Sequence, residues 1–217
     1  MDAADYDAWY DTPRGRWIGE TEFCLLQREL DPRGSKQLLD VGCGTGWFTR
    51  RMSHLSGVQT TGVDINREWL EYARRRDPDS RYVQGDALAL PFADNSFDSV
   101  VSIAALCFTA DWQRAVCEIV RVSRGRFVIG MLNRHSLLWR DKGRNGGSGA
   151  YRGAHWVLPD ELLGSVSRLP VANARVHSAI FLPSGSCLAR TVERFLTGRL
   201  TFGGFMVLAG SKSPIGT

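Results

Sequence analysis

The feature that most constrains the fold is a short apolar run that leads directly into a glycine-rich turn. Residues 38–46 read Leu-Leu-Asp-Val-Gly-Cys-Gly-Thr-Gly, and a helical pattern follows from Trp47. Glycine lets the backbone approach a ligand where a Cβ atom would collide, and a helix N-terminus offers N–H groups to it. A strand, a G-x-G-x-G turn and a helix in this order predict a nucleotide-type binding corner, although a purely structural turn stays an alternative.

Strand-like and helix-like patterns alternate on both sides of this turn. The run Phe97–Ile103 is nearly continuous in apolar and β-forming residues, as expected of a central parallel strand that is covered on both faces. Such alternation predicts an α/β fold with a doubly wound, Rossmann-like sheet and right-handed crossovers. The predicted strands are 37–41, 58–63, 81–84, 97–103 and 126–131, and the predicted helices are 47–55, 67–76 and 112–122.

The two flanks of the chain depart from this alternation. The N-terminal flank predicts an aromatic lead-in, a turn at residues 13–15, and a helix that ends near Asp31 and Pro32. Five glycines among charged residues predict a mobile loop over 141–153. We expect a single domain over 1–217. It is divided into an N-terminal cover (1–36), a cofactor-binding core (37–131), a lid and substrate region (132–160) and a C-terminal part (161–217). Toward the C-terminus the pattern predicts a helix at 159–166, strands at 174–182 and 202–209, and a segment 187–195 between these strands.

Composition narrows the class of protein. The net charge is +4, but the arginines are scattered along the chain, so nucleic acid is a less favoured partner than a small molecule. The five cysteines are odd in number and lack metal-site spacing, which indicates reduced thiols and no metal. No signal-peptide pattern or apolar run long enough to span a bilayer is visible, and a cytoplasmic location is expected. The oligomeric state is not indicated.

Acidic residues follow three successive predicted strands. Asp40 precedes the first glycine by two positions, where its carboxylate can face a cationic ligand or fix the loop. Asp64 lies 18 residues after Gly46 and can accept hydrogen bonds from both hydroxyls of a ribose. Asp86 can accept from an exocyclic amine. Trp47 stands where a dinucleotide fingerprint requires a small residue, so a nucleoside with a cationic tail is favoured over NAD or FAD, and a nicotinamide-dependent oxidoreductase is disfavoured.

With these motifs the sequence resembles the class I S-adenosylmethionine-dependent methyltransferase family, in the small-molecule branch related to the ubiquinone and menaquinone methyltransferases. The resemblance covers about residues 36–131. It implies a seven-stranded, mostly parallel sheet whose antiparallel last strand lies between the fifth and sixth. The segments that carry it are 39–46, 62–64, 85–87 with 90–92, 96–98 and 118–122.

The resemblance also implies roles for individual residues. Asp40 and the backbone of the glycine loop correspond to contacts with the methionine amine and carboxylate of the cofactor, with S-adenosylhomocysteine as the product. Asp64 corresponds to the ribose ligand, Ile65 to a residue that packs on adenine, and Asp86 with Ala87 to the reader of the adenine edge. The full set of candidate cofactor residues is Asp40, Gly42, Cys43, Gly44, Gly46, Asp64, Ile65, Asp86, Ala87 and Ala104.

The acceptor side is predicted from aromatic residues at the N-terminus and around the glycine-rich loop. The chain lacks the Asn/Asp-Pro-Pro-Tyr/Phe motif that accompanies methylation of amide or base nitrogens in the family. We therefore expect methylation of an O, N, C or S atom of a small molecule, and no dedicated base is evident because a sulfonium is already activated. The alternatives are a cofactor-binding protein without turnover, such as a sensor or partner subunit, and an RNA or protein methyltransferase. The candidate pocket residues are Tyr6, Trp9, Tyr10, Arg16, Cys107, Trp139 and His155, with Arg14, Trp17, Trp156 and His135 nearby and His54 away from the site.

Overall fold

A computed structural model describes residues 2–31, 34–55 and 57–213 as a layered α/β fold. Residues 1, 33, 56 and 214–217 lie outside the described residues, and so does Pro32 at the predicted end of the first long helix. The helices are α1 (Ala3–Trp9), α2 (Pro13–Leu30), α3 (Trp47–Ser53), α4 (Arg67–Arg76), α5 (Trp112–Val122), α6 (Pro159–Gly164) and α7 (Cys187–Leu196). The strands are β1 (Gln37–Val41), β2 (Gln59–Asp64), β3 (Arg81–Gln84), β4 (Phe97–Ile103), β5 (Ser123–Asn133), β6 (Trp156–Val157), β7 (Val171–Ala179) and β8 (Phe205–Lys212).

The strands form one mixed sheet in the order β3-β2-β1-β4-β5-β8-β7, and the short β6 pairs with β5. Strands β1 to β5 are parallel to one another, whereas β8 is antiparallel to both β5 and β7. The predicted doubly wound sheet, with an antiparallel last strand inserted beside the fifth, is confirmed. Its consequence for the site is that the carboxyl ends of β1, β2, β3 and β4 meet at one edge.

The core lies on both faces of the sheet. Neighbouring residues of the central strands point to opposite faces, as the two-residue period of a strand requires. Leu38 packs under α2 and α3, and the adjacent Leu39 packs in the cluster that α5 covers. Val100 and Val101 of β4 divide in the same way, which explains why this strand is apolar without alternation.

The N-terminal flank differs from the prediction. The predicted turn at residues 13–15 is instead the first turn of α2, and α1 precedes it as a separate helix. Thr12 caps α2 by accepting a hydrogen bond from the N–H of Gly15, and Pro13 occupies the first helical position. Proline is tolerated there because its missing N–H would have no intrahelical partner, so Pro13 starts this helix and does not interrupt one.

The segment 141–153 forms short helical turns without a continuous helix, as its glycine content requires. Its predicted mobility stays a prediction. Within the described ranges, no helix is long and apolar enough to cross a membrane. All five cysteines are free thiols.

Candidate functional site

The glycine-rich loop between β1 and α3 is held in a conformation that only glycine adopts easily. Gly42, Gly44 and Gly46 have φ angles of 73°, 54° and 77°. A Cβ atom on Gly42 would lie 2.2 Å from the Cβ of Ala105, in the turn that follows β4. The positive φ angle therefore favours glycine at all three positions, and at Gly42 the close approach of the turn after β4 requires it as well.

The N–H groups of the loop are used within the protein. Those of Gly42 and Cys43 donate to the Val63 carbonyl oxygen, at 2.7 and 3.1 Å. The N–H of Gly44 donates to Asp64 Oδ2 at 2.8 Å. In this structure these three donors fix the loop to the end of β2. The predicted contact of this backbone with the methionine part of the cofactor stays a prediction.

Asp64 is placed as a ribose ligand requires, at the carboxyl end of β2. Its Oδ2 accepts from Gly44 and its Oδ1 accepts from the N–H of Asn66 at 2.8 Å. A carboxylate oxygen has two lone pairs, so each oxygen can still accept one further hydrogen bond. The next residue, Ile65, leaves 67% of its surface exposed, which leaves room for an adenine ring to cover it.

Asp40 lies deeper than a direct ligand contact would require. Its side chain is 2% exposed and accepts a hydrogen bond from Thr49 Oγ1 of α3 at 2.6 Å. Burial raises the pKa of Asp40 to about 7, the nearby Asp64 charge adds to this rise, and the Thr49 bond opposes it. The Thr49 bond joins the end of β1 to α3 across the glycine loop. The predicted action of Asp40 on a cationic ligand stays a prediction.

The remaining cofactor candidates surround the same edge. Asp86 is exposed, and its Oδ1 accepts from the N–H of Leu88, which leaves Oδ2 without a bond among the described residues. Ala87 is half-buried beside it. Ala104 ends β4 with a φ of 54°, a costly conformation for alanine that turns the chain toward Gly42. Cys43 packs its buried sulfur against Gly62 and is a packing residue rather than a nucleophile.

Sequence reasoning missed the residue that anchors the N-terminal cover, Asp7. Its side chain is 5% exposed and accepts from Thr45 Oγ1 at 2.9 Å and from Arg50 at 2.8 and 3.0 Å. Tyr72 of α4 donates to it at 3.4 Å. The isolated acid between aromatic residues carries no sequence signal of this role, because its partners come from the glycine loop, α3 and α4.

The predicted aromatic cover does lie over the glycine loop. Tyr10 stacks on Trp47 with ring centroids 4.2 Å apart, and Tyr6 lies 5.0 Å from Trp69. Trp69 in turn packs on Gly44, since a Cβ there would lie 3.1 Å from its ring. Trp9 packs edge-on against Tyr10. The first helix is therefore part of the wall of the site and not a remote appendage.

Several predicted pocket residues lie elsewhere. Arg16 is exposed to solvent, and its one charged partner in the described part of the chain is Asp11, at 4.0 Å. Cys107 is fully buried, because it follows β4 directly into the core, and its sulfur accepts from the N–H of Leu132 at 3.2 Å. His155 is exposed and, together with Trp112 and Glu161, lines a cleft of about 540 Å³. No residue of the glycine loop lines this cleft.

The other wall proposed around the glycine-rich segment is also displaced. Trp139 packs against Gly143 and lies under the Arg144 guanidinium, 5.6 Å from its ring centroid. His135 stacks with Phe202 in a second cleft, of about 280 Å³. These residues are therefore not brought to the glycine loop, because the chain after β5 turns toward α6 and α7 and not toward α3. His54 is exposed at the end of α3, as expected.

Comparisons with known proteins agree with the geometry. Residues 39–129 match the family model described as a methyltransferase domain. The chain is 35% identical over 127 residues to malonyl-[acyl-carrier protein] O-methyltransferase of Erwinia pyrifoliae, covering 55% of this chain and 48% of that protein. It is 35% identical over 96 residues to demethylmenaquinone methyltransferase of Renibacterium salmoninarum, covering 43% and 40%. The chain thus spans about half the length of the curated relatives it matches.

A solved structure supports the fold over nearly the whole chain. The crystal structure of a SAM-dependent methyltransferase from Thermotoga maritima, described as a possible histamine N-methyltransferase, superposes with a TM-score of 0.76 at 23% identity. The match covers 97% of this chain and 95% of that one. Residues 39–129 therefore match a methyltransferase domain, and the fold over nearly the whole chain is the one seen in the Thermotoga maritima structure.

Proposed function

We propose that the protein is an enzyme that binds S-adenosylmethionine at the glycine loop and transfers its methyl group directly, in line, to a small-molecule acceptor. The observation that carries the proposal is the junction of β1 and β2, where Asp64 fixes Gly44 and keeps one lone pair on each oxygen for a ribose. The donor supplies a methyl group on a sulfonium, which is already an activated leaving group.

The chain's own residues fit such a ligand. Asp64 would bind the ribose, the exposed Ile65 would cover one face of the adenine, and Asp86 would accept from its exocyclic amine. Asp40 lies behind the loop, where its charge attracts the cationic amine of the methionine moiety without touching it. We assign Gly42, Cys43, Gly44 and Gly46 to the loop surface, and Ala87 and Ala104 to its rim.

The acceptor pocket would lie beneath α1. Tyr6, Trp9 and Tyr10 form an aromatic wall against Trp47 and Trp69, which favours a small acceptor with an apolar or aromatic part. Holding such an acceptor in line and excluding water is the main catalytic task and can supply about 7 to 11 kcal/mol. Trp139 and His155 would join this wall only if the segment 139–155 moves. We therefore propose that this segment acts as a lid.

The wider predictions stay proposals. We propose one domain over 1–217 and a cytoplasmic enzyme that acts on small molecules rather than nucleic acid. The named relatives act on different acceptors by their descriptions, so they do not select one for this chain.

Calorimetry tests the cofactor half of this proposal. We expect S-adenosylmethionine and S-adenosylhomocysteine to bind the purified protein, and NAD to bind much more weakly. Absence of binding by both adenosyl compounds would overturn the proposed function. A screen for transfer of an isotope-labelled methyl group to metabolite pools then separates an enzyme, which labels an acceptor, from a binding protein without turnover, which labels none.

A further inference from the structure

Helix α2 carries a carboxylate, Glu22, on the face that it buries. The buried residues of this helix include Ile18, Gly19, Leu25 and Leu26, and Glu22 lies within one turn of each of them. Its side chain is only partly exposed. Among the described residues, no hydrogen bond or ion pair joins Glu22 to another side chain. A carboxylate in such a position without a partner is costly to keep for stability alone.

A second carboxylate on this face of α2, Glu29, is held by several hydrogen-bond partners, as expected of an acid with a structural role. Glu29 accepts hydrogen bonds from Arg175 at 2.8 Å and from Arg28 at 2.9 Å, and His177 lies 2.8 Å away. Although burial acts to raise the pKa of Glu29, the bonds from these partners lower it below its ordinary value. Glu22 differs in having no such partners.

The Glu22 charge acts on phenolic and thiol groups from three other segments of the chain. Burial is the main cause that raises the pKa values of Tyr6, Tyr10, Cys107 and Tyr151, and the Glu22 charge adds to each rise. Arg14 acts on Tyr151 with the opposite sign: it lowers the pKa of Tyr151, and its Nε donates to the Pro183 carbonyl oxygen. Burial alone raises the pKa of Glu22 to about 8, so the group titrates near neutral pH.

Glu22 is also connected to the glycine loop by packing. Gly19, one turn before Glu22, touches Tyr10 and Trp47, since a Cβ there would lie within 2.8 Å of both rings. Tyr6 connects Tyr10 to Trp69: its hydroxyl lies 3.5 Å from the Tyr10 hydroxyl, and its ring packs on Trp69. The carboxylate therefore lies beside the aromatic wall that encloses the proposed acceptor pocket.

We propose that Glu22 is the acceptor-binding carboxylate and proton acceptor of this pocket, and that the acceptor is a small molecule whose nucleophile is an O–H or N–H group. This inference rests on the proposed function. Above about pH 8, where Glu22 is ionised, carboxylate acceptors are disfavoured, since a second anion beside Glu22 would be repelled. Of the O, N, C or S acceptor atoms that the sequence left open, O and N remain.

The step balances as follows. A lone pair of the acceptor oxygen or nitrogen forms a bond to the methyl carbon, and the methyl–sulfur bond breaks with its electron pair returning to sulfur. The sulfonium becomes a neutral thioether. The proton of the acceptor O–H or N–H moves to the Glu22 carboxylate, which later releases it to solvent. A base whose pKa lies near the working pH is well suited to this transfer.

The test compares Glu22→Gln with Glu20→Gln, which places the same change on an exposed position of the same helix. Benzylamine, phenol and benzoate, which share one ring and differ in charge and in donor groups, are titrated by ligand-observed NMR into each protein saturated with S-adenosylhomocysteine. At about pH 9, where Glu22 is ionised, we expect wild type and Glu20→Gln to bind benzylamine and phenol but not benzoate. Glu22→Gln should bind benzylamine at least tenfold more weakly and lose its pH dependence around pH 8.

Three results would overturn the proposal: an unchanged benzylamine affinity in Glu22→Gln, no binding of either donor probe to wild type, or preferential binding of benzoate. Glu22→Asp, which keeps the charge on a shorter side chain, replaces Glu22→Gln if the latter fails to fold and should retain part of the amine affinity. Calorimetry with S-adenosylhomocysteine is run on the same proteins. If wild type does not bind it, the proposed function fails, while the probe series on the free protein still decides the role of Glu22.

Discussion

The Asp7 carboxylate of the first helix accepts a hydrogen bond from Thr45 Oγ1, 38 residues later, at 2.9 Å. Thr45 lies inside the glycine loop, so this bond joins the N-terminal cover to the segment that would hold the cofactor. Arg50 of α3 completes the junction, because its Nη2 donates to both oxygens of the same carboxylate. Docking of α1 and the shape of the glycine loop are therefore expected to change together.

Replacement of Asp7 by alanine should release α1 from the loop. The carboxylate is buried, and its removal leaves Arg50, itself only 16% exposed, without its partner. We expect the free energy of unfolding to fall by about 3 kcal/mol, in the range for breaking a buried pair, and S-adenosylhomocysteine to bind at least fivefold more weakly. Urea unfolding and calorimetry measure the two effects. Asp11→Ala removes an exposed acid 4.0 Å from Arg16 and should change neither; equal behaviour of the two variants would contradict the anchor role.

Substitution of Asp64 separates ribose binding from loop support. In Asp64→Ala both roles are lost, and we expect cofactor binding to weaken at least tenfold, since each charge-assisted hydrogen bond contributes about 1.5 to 3 kcal/mol. Asp64→Asn keeps one oxygen for Gly44 N–H and should preserve thermal stability better than alanine does. Calorimetry and thermal unfolding report these quantities, and an unchanged dissociation constant in Asp64→Ala would place the ribose elsewhere.

The pH dependence of cofactor binding should reflect Asp40. Its pKa of about 7 in the free protein means that the group is mostly neutral at pH 6 and mostly ionised at pH 8. A ligand with a cationic amine binds better to the ionised form, so affinity for S-adenosylhomocysteine should rise up to about tenfold from pH 6 to pH 8. Asp40→Asn cannot ionise and should show a weaker, flatter profile in calorimetry. A wild-type profile that is flat, or that falls with pH, would show that Asp40 does not act on the ligand charge.

Stability as a function of pH should reveal Glu22 without any ligand. Its folded pKa of about 8 lies above the ordinary value of 4.5, so the unfolded chain loses this proton first and wild type loses stability as pH rises between those values. Glu22→Gln should therefore gain stability relative to wild type across this window, by at most about 1.4 kcal/mol per pH unit, and level off above it. Urea unfolding at pH 5 and pH 8 measures the difference. Glu20→Gln should show none, and a constant difference for Glu22→Gln would mean that the acid is not perturbed.

The contact between Gly42 and Ala105 allows a two-step test of the glycine loop. Gly42→Ala brings a Cβ to 2.2 Å from the Ala105 Cβ at a φ of 73°, and it should abolish cofactor binding and lower the free energy of unfolding by at least about 2 kcal/mol. Adding Ala105→Gly removes the clash but not the unfavourable φ angle, which costs about 1 kcal/mol. We expect partial recovery in thermal unfolding; complete recovery would show that the backbone angle contributes nothing.

Local pattern was sufficient for the parallel half of the sheet. Helices α4 and α5 and strands β1, β3 and β4 have the predicted bounds, because their apolar spacing, caps and breakers lie within the segments themselves. The strand-end acids could be placed together for the same reason: once β1, β2 and β3 are parallel neighbours, their carboxyl ends share one edge. The family resemblance added the antiparallel insertion of β8, which periodicity alone does not predict.

The acceptor side was decided only by the tertiary structure. Arg16, Cys107 and His155 have suitable chemistry, but the packing of α2, β4 and the segment after β5 turns them to solvent, to the core and to another cleft. Asp7 and Glu22 belong to no sequence motif. The role of Asp7 depends on partners from distant segments, and the proposed role of Glu22 depends on its having no partner among the described residues. The sequence by itself determined the parallel half of the sheet and the glycine loop, where neighbours in the chain are neighbours in space, and tertiary packing alone determined which side chains lie around the proposed acceptor pocket.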